Sequence, residues 1–355
     1  MQHPCRPPLR GKTPFRGGVK QRRRVPFDPF PRTATVRPLR TEFQLIELFT
    51  RAFHPRPPPE GPGDDCAVLR PGGGALCVTT DAVVEGVHFR VPPFTLEDVG
   101  HKALAVNLSD LAAMGARPRW FLCAVAMPES FGAAEVGRLA RGMSALARRA
   151  GIALAGGNFT AAPQLSVTVT AAGEAGRPLL RSGGRRGHLL YVSGTLGDAR
   201  LGLEAGAGRS ASRRQRRPEP RLALGRLAGR HASAAIDVSD GLAQDLGHLC
   251  RASKVGAEVQ VDDLPVSARL ARALGTREAA TGYALEGGED YELLLAVPPA
   301  RAPAFERACA RAGQRVTRIG RLGGERLRFL RGKHPVRAPP GFDHFRGQAG
   351  RLAPP

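Results

Sequence analysis

The chain has 355 residues, 42% of them apolar, which is enough to bury the cores of two ordinary domains. No apolar run is long enough for a membrane span, so a membrane role is not expected. The formal charge of +22 invites a nucleic-acid reading, but the charge is concentrated and aromatics are only 5%, so the basic–aromatic platform of single-strand binders is missing. Residues 1–40 hold eleven Arg and Lys against Asp28, and Arg209 to Arg221 hold six Arg against Glu219. Nucleic-acid binding is therefore not expected as the main function. The six cysteines (Cys5, Cys66, Cys77, Cys123, Cys250 and Cys309) form no C-x-x-C pair, which fits reduced thiols in a cytoplasmic protein.

In chain order, residues 1–40 are Pro- and Arg-rich without apolar periodicity and read as a disordered extension rather than a targeting segment. Folded structure begins at Thr41, where Thr41 and Gln44 have capping-box spacing ahead of Leu45, Ile46, Phe49 and Phe53. Strands follow at 66–69 and 75–84. A long helix over roughly 97–115, capped by Thr95, carries Asn107-Leu108-Ser109-Asp110 in its middle. A strand at 120–127, a helix at 133–150 closed by Gly151, a strand at 152–156 and an alternating strand from Leu165 complete a first unit, 41–175. A second unit, 176–345, has strands near 188–193, 234–238, 256–261, 291–297 and 315–322. Helices are expected near 197–205, 220–229, 241–253, 266–274 and 302–312, with 207–219 as a loop and 346–355 as a tail. Alternating strands and helices make the class α/β or α+β.

Five acidic words recur where apolar runs end or glycine turns begin: Gly63-Asp64-Asp65, Thr79-Thr80-Asp81, Asn107 to Asp110, Ile236 to Asp240, and Gly287 to Glu292. Carboxylates delivered by strand ends to one cleft suit Mg²⁺, which takes oxygen ligands and keeps water or substrate phosphate as the rest. Asp110 inside an apolar helix is unfavourable by propensity and costly if buried alone, so a metal or cationic partner is expected. Asp237 and Asp240 sit at a strand–turn–helix junction, with Ser239 available to a phosphate or as a helix cap. Gly156-Gly157-Asn158 also ends a strand, at a place where an acid would fit the pattern. No phosphate-cradling G-x-x-x-x-G-K-[ST] loop and no kinase catalytic loop is present.

Taken in order, the segments GPGDDCAVL, TTDAVVEGVHF, KALAVNLSDLAAMGARP, AGGNFT, RSGGRRG, RRPEPRLALG, AIDVSDGLAQDLGHLCRAS, ALEGGEDYELLLAVP and GFDHF resemble the thiamine-monophosphate kinase family. That family belongs to the superfamily of aminoimidazole ribonucleotide synthetase and selenophosphate synthetase. The resemblance covers about 41–345. It implies a two-domain aminoimidazole ribonucleotide synthetase-like fold whose N-terminal domain dimerises through its sheet. The implied reaction is ATP-dependent phosphorylation of thiamine monophosphate to thiamine diphosphate, with several Mg²⁺ ions. By position, the resemblance makes Asp65, Thr79, Thr80, Asp81, Asp110, Asn158, Asp237 and Asp240 the metal site. Gly157, Arg181 and Ser239 resemble ATP contacts, and His88, Glu289 and Phe342 contacts to thiamine monophosphate. No separate catalytic base is implied, because the acceptor phosphate oxygen is already a nucleophile.

Two departures matter, and the lesser is Phe342, where the family commonly has Tyr or Trp, a change expected to be tolerated for stacking. The family's G-G-D-T-T is Gly156-Gly157-Asn158-Phe159-Thr160 here. Asn158 keeps a carbonyl oxygen but loses a negative charge, so a weakened Mg²⁺ site and a raised Mg²⁺ requirement are expected. Two other functions stay open from sequence. One is a sibling ATP-dependent synthetase acting on another acceptor, the other a weakly active ligand-binding homologue.

Overall fold

A computed structural model describes residues 64–203 and 209–337. The expected extension 1–40, the helix from Thr41 and Phe342 lie outside the described residues. Elements are numbered over the described residues only.

The first half builds one mixed five-stranded sheet. Its strands are β1 (Ala67–Leu69), β2 (Ala75–Val84), β3 (Arg117–Met127), β4 (Ala153–Ala161) and β5 (Ser166–Ala175), in the order β1-β2-β5-β3-β4. β3 and β4 run parallel and the other pairs antiparallel. Two helices accompany it, α1 (Leu96–Ala113) and α2 (Ala133–Ala150). Helix α1 starts on the expected Thr95: its hydroxyl accepts from the Asp98 amide, and the Asp98 carboxylate accepts from the Thr95 amide, each at 3.1 Å. That reciprocal cap satisfies two amides that would otherwise lack a helical partner.

The second half builds a mixed seven-stranded sheet, ordered β12-β11-β8-β10-β6-β9-β7. These strands are β6 (Leu189–Ser193), β7 (Ala234–Val238), β8 (Ala257–Gln260), β9 (Glu292–Val297), β10 (Val316–Leu322), β11 (Leu327–Arg331) and β12 (His334–Val336). The helices are α3 (Asp198–Leu203), α4 (Arg209–Arg216), α5 (Leu222–His231), α6 (Leu242–Ser253), α7 (Ala268–Leu274), α8 (Arg277–Glu286) and α9 (Ala302–Arg311). Strands β7 and β9 are apolar along nearly their whole length and buried throughout, as central strands covered on both faces are.

Several expectations change. The stretch 207–219 is not a loop where it is described, because α4 runs through it. Gly156-Gly157-Asn158 does not end a strand but lies in the middle of β4, which continues to Ala161. Asn107 to Asp110 occupy the last turns of α1 rather than its centre. Helix α8 and strands β11 and β12 were not foreseen. Cys66, Cys77, Cys123, Cys250 and Cys309 are free thiols. Among the described residues no helix is long and apolar enough to cross a membrane.

Helix α1 ties the two halves together. It is buried on nearly every side, so its apolar residues serve two cores at once. Leu104, Leu108 and Leu111 belong to the core of the first sheet. Ala112 and Ala113 pack with Leu224, Leu293 and Phe305 of the second half. A side chain at Gly225 of α5 would put its first carbon 2.1 Å from the Ala112 carbonyl oxygen, so this crossing requires glycine.

Candidate active site

A helix buried all round must satisfy each polar side chain inside protein, and those of α1 do so by reaching other elements. Asn107 donates to the Ala103 carbonyl and accepts from the Asp81 amide of β2. Ser109 donates to Asp237 Oδ2 at 2.7 Å. Asp110 Oδ2 accepts from the Thr79 hydroxyl at 2.6 Å. His101 Nε2 lies 2.8 Å from the Pro218 carbonyl oxygen, and Lys102 forms an ion pair with Glu289 at 2.6 Å.

Through these bonds three acids meet. Asp65 precedes β1, Asp110 is on α1 and Asp237 is on β7, yet they can offer oxygens all within 4.8 Å of one another. Asp65 and Asp237 are buried. Burial pushes all three carboxyls above the usual carboxylate range, and the charges of their neighbours add to it. For Asp237 burial, then Asp65, raises the value to about 8. For Asp110 burial acts first and Asp81, Asp237 and Asp65 follow, while the Thr79 hydroxyl opposes them. For Asp65 burial is offset in part by Arg181. Asp110 thus meets the Thr79 hydroxyl and the charges of three other carboxylates. A cluster of acids whose charges oppose one another this closely could hold a cation.

Arg181 Nη2 lies 2.5 Å from Asp65 Oδ1, and the Arg181 amide donates to Asp64 Oδ1 at 2.6 Å. The other Asp65 oxygen, Oδ2, is buried with no hydrogen-bond partner. An orphaned buried carboxylate oxygen on a residue that meets two further carboxylates fits a hard divalent ion with all-oxygen ligands, as Mg²⁺ is.

The turn after β7 closes the cluster. Asp245 Oδ2 accepts from the amides of Ser239 and Asp240, each at 3.1 Å, and Asp240 Oδ2 accepts from Gln244 at 3.0 Å. Ser239 is not a side-chain cap of α6, because the capping position is Gly241. The Glu289 amide donates to the Ser239 carbonyl and the Tyr291 amide to that of Val238. Glu289 and Tyr291 hold φ of +66° and +50°, a conformation non-glycine residues rarely adopt outside sites that require it.

Thr79 and Asp81 share one face of β2 by strand alternation, and Thr80 takes the other. The Thr80 hydroxyl lies against the Val169 carbonyl and 3.0 Å from the Thr170 hydroxyl, so its side chain is not brought into the acid cluster. His88 Nδ1 accepts from the Val84 amide, and the His88 carbonyl accepts from Lys102. Gly157 pairs with Cys123 across β3 and β4, where an added side-chain carbon would lie 1.9 Å from the Cys123 carbonyl oxygen. This close approach is reason enough for glycine there.

Asn158 is where placement departs most from expectation. Asp81, Val169, Cys123 and Gly157 form one row across the sheet, and Ala82, Thr168, Ala124 and Asn158 the next. Asn158 thus lies three strand spacings, about 14 Å along the sheet, from the strand that carries Asp81.

Lys102, Gln215 and Asp245 went unnoticed in the sequence. Lys102 hid inside an apolar helix, although a lysine on a helix buried all round is itself a signal. Gln215 sat in an Arg-rich run taken for a loop, and Asp245 looked like an ordinary first-turn helix acid.

Residues 63–175 match the AIR synthase related protein N-terminal domain, and 185–331 the AIR synthase related protein C-terminal domain. The thiamine-monophosphate kinase of Salmonella typhimurium is 41% identical over 322 residues, spanning 86% of this chain and 98% of its own. The solved structure of AaThiL complexed with AMPPCP and TMP is 33% identical, covers 86% of this chain and 97% of its own, and superposes with a TM-score of 0.76. The crystal structure of thiamine-monophosphate kinase from Stenotrophomonas maltophilia is 41% identical, covers 78% and 91%, and has a TM-score of 0.70. The chain belongs to the thiamine-monophosphate kinase family of AIR synthase related proteins.

Proposed function

We propose that the acid cluster is the phosphoryl-transfer centre of a thiamine-monophosphate kinase that uses ATP to make thiamine diphosphate. The observation that carries the reading is the convergence of Asp65, Asp110 and Asp237 from three elements, with Asp65 Oδ2 buried and unpartnered. Donor and acceptor are both phosphates, so their approach opposes several negative charges. Mg²⁺, when bound, would supply the neutralisation this approach needs. Asp65, Asp110 and Asp237 would hold it, with Asp81, Asp240 and Thr79 beside them and the Thr80 backbone on the same strand. These carboxylates act as ligands rather than proton acceptors, since the acceptor oxygen carries its own nucleophilic charge. Arg181 and Ser239 lie beside the cluster, as ATP contacts would. His88 and Glu289 gather around Lys102 and form the acceptor side, to which Phe342 would add a ring face.

We also propose a homodimer through the first sheet. Leu122, Leu154 and Phe159 on β3 and β4 are exposed, Leu154 by 61% and Phe159 by 57%. β4 is an edge strand, and unpaired apolar edges invite strand addition. Among the described residues β1 pairs with Leu76 to Val78 of β2, and beyond them the Asp81 amide is held by the Asn107 side chain. Two-fold pairing of each β4 with the outer edge of the partner's β2 covers the exposed β4 edge. It also carries Gly157 and Asn158 to the Thr80–Asp81 strand of the other subunit. The division at 41–175 and 176–345 and a cytoplasmic location complete the proposal.

A coupled assay with thiamine monophosphate as sole acceptor tests the function. Equal amounts of ADP and thiamine diphosphate are expected. ADP without thiamine diphosphate would favour a sibling synthetase, and binding without turnover at high Mg²⁺ a weakly active homologue.

A further inference from the structure

We infer that Lys102 and Gln215 are positioning residues, which fix the Glu289 carboxylate as the reader of an N–H donor on the acceptor's heterocycle. The inference rests on the functional reading above.

Lys102 is sealed inside the protein, its side chain 1% exposed, while that of Glu289 is 19% exposed. The ammonium holds three groups from two segments outside its own helix. It donates to Glu289 Oε1 at 2.6 Å and to the His88 carbonyl at 3.2 Å, and it lies 5.5 Å from the centre of the Phe94 ring. The second carboxylate oxygen, Oε2, faces the amide of buried Gln215 at 3.4 Å. Gln215 comes from α4, in the basic run whose arginines take other partners. Arg214 pairs with Asp198 and Glu292, Arg217 with Asp98, and Arg221 with Glu292. The run is therefore a strap tied down on both halves, and Gln215 is the group it lays on Glu289.

This arrangement decides what Glu289 is able to recognise. The buried ammonium already offsets its charge, so the pair offers a cation little net attraction. A carboxylate accepts about four hydrogen bonds, and each Glu289 oxygen keeps lone-pair capacity after Lys102 and Gln215. What fits is a neutral N–H donor held in a fixed direction.

Helix α1 sets the distance. Lys102 and the Ser109–Asp110 pair stand seven to eight residues apart on one helix, about 11 Å along its axis. The acceptor must then place its phosphate and its N–H donor about a nanometre apart. In thiamine monophosphate the aminopyrimidine is separated from the phosphate by the thiazolium ring and its ethyl arm, a span of that order.

The test compares thiamine monophosphate with its 4-oxo analogue, in which a carbonyl replaces the pyrimidine amino group, using the full chain and MgATP. The wild-type chain is expected to prefer the amino substrate at least tenfold in kcat/KM. Gln215→Leu is expected to raise KM for thiamine monophosphate about fivefold to tenfold and to cut that preference at least threefold. Its kcat and its KM for ATP should stay within twofold. Lys102→Met combined with Glu289→Gln removes both buried charges together and should abolish the preference. If that double variant does not fold, Gln215→Leu decides alone. An unchanged preference in Gln215→Leu, or an equal rise in KM for ATP, overturns the inference while leaving the functional reading standing. Failure of the wild-type chain to make thiamine diphosphate overturns both.

Discussion

Asn158→Asp separates two geometries for the same residue. Within one chain the new carboxylate stands about 14 Å from the strand of Asp81, the distance set by three strand spacings. A unit charge and a divalent ion at about 14 Å in water interact by about 0.6 kcal/mol. A Debye length of about 8 Å reduces this to about 0.1 kcal/mol, a change of about 1.2-fold in metal affinity. If β4 pairs with the outer edge of the partner's β2, the same carboxylate stands about one strand spacing, 5 Å, from that subunit's Asp81. There the interaction, screened in the same way, is about 0.9 kcal/mol at the dielectric constant of water, or about 4.5-fold. We expect Asn158→Asp to lower the half-saturating Mg²⁺ concentration about fourfold or more. The assay is thiamine diphosphate formation titrated with Mg²⁺ at fixed ATP, on samples whose dimeric state is fixed by sedimentation. An unchanged Mg²⁺ dependence in a dimeric sample would refute the exchange of β4 between subunits. The raised Mg²⁺ requirement expected from sequence would then lose its physical basis.

Three further outcomes are expected. Asp237→Asn removes a buried acid whose ionised form burial and its neighbours oppose, so the metal-free protein should melt higher while kcat/KM falls more than about 100-fold; a lower melting point, or retained activity, contradicts the cluster's role. The raised carboxyls of Asp237 and Asp290, each at about 8, hold protons in the folded chain that the unfolded chain has already released, so stability falls as pH rises toward 8. His101, His188, His231 and His248 are shifted down and act in the opposite sense at lower pH, so the test window is pH 6.5 to 8. Melting scans in chelator should show a steady decline across it, and a rise would count against the assignment. Leu154→Glu with Phe159→Glu places charge on the exposed β4, and sedimentation should move from dimer to monomer without loss of secondary structure; an unmoved dimer places the interface elsewhere.

Much of this was legible in the chain because local physics left a local mark. The helix Ala133–Ala150 ends at Gly151, the apolar strand Ala234–Val238 runs into Ser239-Asp240-Gly241, and Thr95 begins the buried helix, each as periodicity and capping chemistry dictate. The acids were legible as a set, but which of them meet was not. Thr79 and Thr80 are neighbours in sequence and face opposite ways, a difference fixed by register with Val169 and Thr170. Asn158 matched the pattern of the other words, yet sheet order sends it to an edge. Helix α4 was invisible because Ser and Arg give no apolar stripe. Its Arg214 is held by Asp198 and Glu292 and its Arg216 by Asp98, acids that lie outside the helix.

The sharing of α1 between the halves has a consequence for how such proteins diversify. Asp98, His101, Lys102, Ser109 and Ala112 belong to the first half by sequence. Arg217, the Pro218 carbonyl, Glu289, Asp237 and Gly225, their respective partners, all belong to the second. A chimaera that joined this N-terminal half to the C-terminal half of a superfamily sibling would strand a buried lysine and crowd a helix crossing at the same seam. Exchange of acceptor specificity within this architecture is therefore expected to proceed by point changes around the Lys102–Glu289 pair. Wholesale shuffling of halves would first require the partners of one helix to travel with it.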